Sequence, residues 1–143
     1  MYEDLLRASR IRKQKVSPAE IRRALERARR DLKTARKIMA EDSDWGFAVA
    51  YNAVLQASRA YIFSKGYRPA GAEAHKNTFA FMTLAFGKEY EDLMTYFDRM
   101  RSKRNQAIYD VAGIISESEA RGLLAKAIDF VTLIENKLNA KKR

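Results

Sequence analysis

Residues 48–60 read AVAYNAVLQASRA and indicate the fold more directly than any other stretch. Five alanines keep this segment narrow, and no strand-like alternation of apolar and polar residues interrupts it. The helix predicted here extends from about residue 45 to residue 65 and ends before Gly66, since glycine commonly terminates helices. We therefore expect a slender helix that packs closely against its neighbours.

The segments on either side predict further helices. Ser17 and Pro18 form a helix start, with Glu20 three residues after the capping serine. Apolar residues then recur at spacings of three and four, which place them on one helix face. Ser116 and Glu119 repeat the capping pattern before the last helix. The predicted helices cover residues 3–14, 18–39, 45–65, 73–86, 88–110 and 117–138.

These helices and their short connections predict an all-α protein, an antiparallel up-and-down bundle of four to five main helices. We expect a single domain over residues 1–143. A strongly basic helix is predicted within residues 1–16, and a frayed tail over residues 139–143. Trp45 and the helix-spaced Tyr and Phe residues are expected in the core.

The chain is basic, and its charge is unevenly distributed. It has 143 residues, a mass of 16.4 kDa and a formal net charge of +10 at pH 7. Residues 1–40 contain 13 Lys and Arg against 5 Asp and Glu, whereas residues 41–143 contain 15 against 13. Such an excess indicates a polyanion such as nucleic acid, or equally well a solvated helix face.

Composition excludes several kinds of site. The sequence has no Cys and one His, which excludes disulfide scaffolds, Cys-ligated zinc and His-rich metal sites. No metal or cofactor is therefore predicted. No apolar run approaches the ~20 residues that a membrane span needs, and the first residues do not resemble a signal peptide. We expect a cytoplasmic protein without a membrane partner.

A polar patch is predicted near the C-terminal end of the 88–110 helix. Arg104 stands where the apolar stripe predicts a hydrophobic residue. Arg101, Asn105 and Tyr109 fall with it within an arc of about 140°, at ~100° per residue. Arginine forks bind phosphate in a bidentate manner, and Asn and Tyr add hydrogen-bond donors. The patch is therefore a candidate phosphate site.

A structural alternative stays open for the same arginine. A charge that faces a core costs free energy unless it is paired. Asp98 and Asp110 lie on the same predicted helix as Arg104. A buried ion-pair network among them would fix the packing of the helix and would have no role in ligand binding.

Further candidate contacts to nucleic acid are Lys103, in the same segment as the patch, and three residues elsewhere in the sequence, Tyr67, Arg68 and His75. Lys103 adds a positive charge within the same segment. Tyr67 and Arg68 lie in a predicted loop over residues 67–71, where they stack on a base or pack the loop. His75 stands at the start of the 73–86 helix, as a cap, a surface residue or a base supplied to a neighbouring site.

Three segments together resemble the HEPN domain family, and in particular its small stand-alone prokaryotic branch. The resemblance extends over about residues 17–138, and the order and spacing of the segments carry it. The segments are AVAYNAVLQASRA at 48–60, KGYRP at 65–69 followed by AHK at 74–76, and RSKRNQAIYD at 101–110.

The resemblance implies a bundle that dimerises and, in many members, a metal-independent ribonuclease site in the dimer cleft. An Arg and, a few residues later, a His form that site. Arg104 and Asn105 match the start of the motif, but Tyr109 holds the position of the His. Tyrosine, with a pKa of about 10, is a poorer base at neutral pH than histidine at about 6.5. The predicted catalytic residues are Arg104, Asn105 and Tyr109, and the predicted phosphate contacts are Arg101, Lys103, Arg68 and His75.

The resemblance also implies a setting and two hypotheses of function. The first is a dimeric RNA- or nucleotide-binding protein of a toxin–antitoxin or defence-type system, with metal-independent endoribonuclease activity weakened by Tyr109. A two-fold axis near the 88–110 helix would join two polar patches in one cleft. The alternative is a non-catalytic helical protein that binds a minimal nucleotidyltransferase.

Overall fold

The computed structural model describes residues 1–110 and 112–140 as a bundle of five long helices with a small sheet at one side. A 3-10 turn at Lys88–Tyr90 precedes α5, and a π-helical turn at Gln106–Asp110 follows it. The predicted all-α bundle is confirmed. In chain order the elements are α1 (Glu3–Arg7), β1 (Ile11–Lys13), α2 (Pro18–Ile38), α3 (Ser43–Ser64), β2 (Tyr67–Pro69), α4 (Ala74–Phe86), α5 (Glu91–Asn105) and α6 (Glu117–Ala140).

Helix α3 is the central helix of the bundle. It packs against α2, α4, α5 and α6, and most of its side chains are buried. Its small residues permit this close packing: a Cβ added at Gly46 would lie 2.9 Å from the Cα of Met39. The narrow helix expected from residues 48–60 is therefore present, and it positions one face of the site described below.

Both predicted helix starts are confirmed. The Oγ of Ser17 accepts a hydrogen bond from the N–H of Glu20 at 3.1 Å. At α6 the bonds are reciprocal: the Oγ of Ser116 accepts from the N–H of Glu119 at 3.0 Å, and the Glu119 carboxylate accepts from the N–H of Ser116 at 3.3 Å. These bonds satisfy backbone donors that a helix start otherwise leaves free.

The basic helix predicted over residues 3–14 is wrong. Helix α1 ends at Arg7, Ser9 adopts a left-handed φ of 57°, and the chain continues as strand β1. Strand β1 pairs antiparallel with β2, so that Ile11 stands opposite Pro69. This pairing buries Ile11 and leaves the next two basic side chains exposed. Burial of one apolar residue against a distant strand therefore outweighs the local helical pattern.

Several predicted boundaries also change. The loop expected over residues 67–71 begins with strand β2, and the helix expected over residues 88–110 divides into 3-10, α and π segments. The tail predicted over residues 139–143 begins inside α6, and residues 141–143 lie outside the described part of the chain. Within that described part, no helix combines the length and apolar character that crossing a membrane requires.

Trp45 is not a core residue, contrary to the prediction. It lies in the first turn of α3, where its backbone N–H donates a hydrogen bond to the N-capping carboxylate of Asp42 at 3.1 Å. Gly46 and Phe47 take the buried face at this end of the helix, and the Trp45 side chain is 55% exposed. The indole is therefore available at the surface.

Candidate phosphate-binding site

A cationic cavity lies between the start of α4 and the end of α5. His75 and Lys76 line it from α4, Arg101 and Asn105 line it from α5, and Glu73, just before α4, contributes one carboxylate against these two cations. Its volume is about 480 Å³. We name it the Arg101–Asn105 cavity. The tertiary structure thus brings His75 to the polar patch that the sequence predicts on α5.

Arg104 is held beside this cavity by two aromatic rings. Its Cζ lies 5.8 Å from the ring centre of Tyr51 and 5.9 Å from that of Tyr109. Its Nη1 donates to the Oδ1 of Asn105 at 3.1 Å. Its Nε is buried and has no hydrogen-bond partner among the described residues. Stacking therefore fixes the guanidinium while leaving donors free for an anion.

The ion pair that the structural alternative assigned to Asp98 and Arg104 is not formed. The Oδ1 of Asp98 accepts a hydrogen bond from the Nε of Arg101 at 3.0 Å instead. Within residues 1–110 and 112–140, no described carboxylate forms a salt bridge with Arg104. The side chain of Asp110, the other predicted partner, lies outside the description. Arg104 is thus a half-buried cation with aromatic neighbours.

His75 is half-buried in the first turn of α4. Its ring centre lies 6.1 Å from that of Tyr51. Burial lowers the pKa of His75 from its usual 6.5, and the charges of Arg104, Arg101 and Arg59 lower it further. These effects favour the neutral form of the imidazole, which has a nitrogen that can accept a proton.

Two residues of this region, Tyr51 and Arg59, were not predicted as site residues from the sequence. Tyr51 is 1% exposed, and burial raises the pKa of its hydroxyl, so its ring serves as a neutral surface below Arg104 and His75. Arg59 lies two helical turns further along α3. It is the one charged residue between positions 45 and 64, and a charge in so apolar a helix was the signal that could have found it.

Tyr109 and Lys103 differ in how they relate to Arg104. Tyr109 lies on the π-helical turn, close to Arg104 but with its side chain 71% exposed. Lys103 points to α6, where it forms a salt bridge with Glu119 and lowers the pKa of that carboxyl group. The structure therefore brings Tyr109 to the site and pairs Lys103 elsewhere.

The two candidate residues of the predicted 67–71 loop also differ: Tyr67 packs against a neighbouring aromatic ring, and Arg68 lines a cavity. Tyr67 packs against the ring of Tyr2, with ring centres 5.3 Å apart, as the packing alternative expected. Arg68 stacks on Phe63 with its Cζ 4.9 Å from the ring centre. It lines a second cavity, of which His75 is also a wall.

The donor set fits an anion. It comprises the guanidinium of Arg101, the ammonium of Lys76, the amide of Asn105 and the imidazole of His75, with the guanidinium of Arg104 behind the amide and one carboxylate, that of Glu73, opposing them. The cations can bind a phosphate, and the imidazole can accept a proton. The described residues contain no cluster of three or more potential metal ligands.

The fold defines a helical domain with a candidate phosphate-binding site between α4 and α5. A model of the HEPN domain family matches residues 21–137. Because this match covers most of the chain, the protein belongs to the HEPN family. The family is associated with ribonuclease-like or nucleotide-binding function in general. A comparison with curated proteins finds no match.

Proposed function

We propose that this protein is a cytoplasmic RNA- or nucleotide-binding protein that holds a phosphate in the Arg101–Asn105 cavity. One observation carries the proposal: the imidazole of His75 shares this cavity with Arg101 and with the amide that contacts Arg104. Cationic forks bind the phosphate oxygens, and the unprotonated nitrogen of a neutral imidazole can accept a hydrogen bond from a ligand hydroxyl.

The reaction proposed for this site is metal-independent cleavage of RNA. His75 accepts the proton of a ribose 2′-hydroxyl as the 2′-oxygen bonds to phosphorus. The bond from phosphorus to the 5′-oxygen breaks, and the phenol of Tyr109 gives its proton to that oxygen. Arg101 and Arg104 stabilise the charge that develops on the phosphate. His75 thereby takes the role that family resemblance gives to the missing motif histidine.

Purified protein incubated with a labelled single-stranded RNA in EDTA tests both proposals. We expect products ending in a 2′,3′-cyclic phosphate from the wild type, and none from Arg104→Ala or His75→Asn. Arg99→Gln is the matched control, because Arg99 is exposed on the same helix. Cleavage that persists in Arg104→Ala would overturn the site. Salt-dependent binding without cleavage would retain the binding function and overturn the reaction.

In this proposal the protein is a homodimer with two such sites near one cleft. Supporting it is an exposed apolar pair, Trp45 and Ile114, of which the second is 36% exposed. Asp44, the chain neighbour of Trp45, accepts hydrogen bonds through its carboxylate from the N–H groups of Gly113 at 2.6 Å and Ile115 at 3.3 Å, which flank Ile114. Exposed large apolar side chains, and tryptophan above all, are common in protein–protein contacts.

The same surface favours a second candidate function. A minimal nucleotidyltransferase bound at Trp45 and Ile114 would make the chain the helical partner in a toxin–antitoxin or defence-type pair. Co-purification with the product of a neighbouring gene tests this. A complex that survives Arg104→Ala but is lost in Trp45→Glu supports the partner function. A stable homodimer that excludes the second protein contradicts it.

A further inference from the structure

A second cationic cavity lies next to the first. It is lined by Arg59 of α3, Arg68 of β2 and His75 of α4, and its volume is about 200 Å³. A water molecule occupies ~30 Å³ of the liquid, so the cavity admits a phosphate group with part of its hydration. We name it the Arg59–Arg68 cavity.

One aromatic ring holds both guanidinium groups of this cavity. The Cζ of Arg59 lies 5.4 Å, and that of Arg68 4.9 Å, from the ring centre of Phe63. Phe63 is itself buried at the end of α3. Because stacking already orders both side chains, they lose little conformational freedom when they bind an anion.

Positive charge at this cavity exceeds its compensation. Among the described residues, Glu20 is the carboxylate in contact with the pair, at 3.7 Å from Arg68. The Nε of Arg68 is buried and has no hydrogen-bond partner within that described set. Burial, and then the charge of Arg68, lowers the pKa of Arg59. Two like charges in a half-buried cavity cost free energy, which an anion bound between them would remove.

His75 joins the two cavities. Its side chain is a wall of the Arg59–Arg68 cavity and of the Arg101–Asn105 cavity. Tyr51 and Arg59 are eight residues apart on α3, which places them about 80° apart around the helix axis, on the same side of it. A ligand that extends past His75 would therefore meet Arg101 in one cavity and the stacked pair Arg59 and Arg68 in the other.

We infer that the Arg59–Arg68 cavity is a second phosphate subsite, and that the ligand is a single RNA strand with phosphates in both cavities. This inference rests on the proposed function of the Arg101–Asn105 cavity. A nucleoside monophosphate has one phosphate and can fill only one cavity. The two subsites therefore select an oligonucleotide over a mononucleotide, with the intervening ribose at His75.

Fluorescence anisotropy with a 2′-O-methyl RNA octamer, which cannot be cleaved through its 2′-oxygen, measures the second subsite. We expect Arg59→Gln and Arg68→Gln each to weaken binding about tenfold. Each should also reduce the slope of log K against log salt by about 0.7, the loss of one phosphate contact on a single strand. Lys13→Gln is the matched control, because it removes one charge from an exposed position of the same sheet.

Binding of adenosine 5′-monophosphate measures the affinity of a ligand with a single phosphate. Its affinity should fall in Arg104→Gln, stay unchanged in Lys13→Gln and be much lower than that of the octamer in the wild type. Arg68→Lys, which keeps the charge on β2, should retain the fold and still lose part of the octamer affinity. Octamer binding that needs Arg104 but neither Arg59 nor Arg68 overturns the second subsite and leaves the proposed function standing. No octamer binding by the wild type at low salt overturns both.

Discussion

The guanidinium carbon of Arg104 lies 5.8 Å from the centre of the Tyr51 ring. A cation of α5 thus rests on a buried aromatic residue of the central helix, without a salt bridge to any described carboxylate. A residue held in this way contributes to stability through packing and cation–π attraction. No carboxylate among the described side chains pairs with its charge, which can therefore act on a ligand.

Replacement of Arg104 by Met separates packing from charge. Met covers the Tyr51 ring with a flexible side chain of similar length, so the free energy of unfolding should fall by no more than about 1 kcal/mol. RNA affinity should fall about tenfold because a charged hydrogen-bond donor is lost. Urea unfolding and anisotropy measure the two effects, with Arg99→Met as control. A loss of stability above about 3 kcal/mol would instead indicate a buried ion pair.

His75 should make stability depend on pH. Burial and the nearby arginines lower its pKa in the folded protein below the 6.5 of the unfolded chain. Its contribution to stability is therefore fully present above pH 6.5 and falls as the pH drops from there towards the lowered pKa. Urea unfolding of the wild type and of His75→Gln between pH 5 and pH 8 measures the difference. Identical profiles would show that His75 titrates normally.

A bound phosphate should reverse this shift. The anion favours the imidazolium form and so raises the pKa of His75. By linkage, binding takes up a proton and strengthens as the pH falls through the titration of the complex. The sequence contains one His, so its imidazole proton resonances are unambiguous in an NMR titration with and without ligand. A pKa that stays unchanged on binding would place the anion away from His75.

Tyr109→His should restore an imidazole next to Arg104. The Tyr109 side chain is mostly exposed, so the fold should tolerate the change. General acid–base catalysis typically contributes 10²–10⁴-fold, and we expect cleavage at pH 6–7 to rise at least about tenfold. The rate of formation of cyclic-phosphate ends measures it. Tyr109→Phe, which keeps the ring and removes the hydroxyl, should bind RNA normally and cleave it more slowly. A histidine variant no faster than wild type would argue against a reacting bond at this position.

Trp45→Glu should weaken the proposed homodimer. The substitution buries one unpaired carboxylate from each subunit in an apolar contact. We therefore expect the dissociation constant of the dimer to rise at least about 100-fold. Sedimentation equilibrium measures it, with Asp92→Lys on exposed α5 surface as control. Because the chain has one Trp, the wild-type emission should shift to shorter wavelength as the protein concentration rises. Emission that does not vary with concentration would exclude Trp45 from the interface.

Local sequence patterns predicted much of this protein. The starts at Ser17 and Ser116 depend on a side chain and a backbone N–H three residues away, and both formed as expected. Arg101, Arg104 and Asn105 lie within five positions of one helix, so their spacing already indicated a shared patch. The helical bundle followed from apolar residues that repeat every three to four positions.

The tertiary structure decided what depends on segments far apart in the chain. Strand β1 exists because Ile11 is buried opposite Pro69, and no local pattern predicts that pairing. Only packing of α4 and β2 on α3 brings His75 between Arg59 and Arg101. The sequence determined which helices form, because capping and periodicity act over a few residues. Packing determined which cations share a cavity. The burial and the charge repulsion that lower the pKa values of Arg59 and His75 depend on contacts between different elements of the fold.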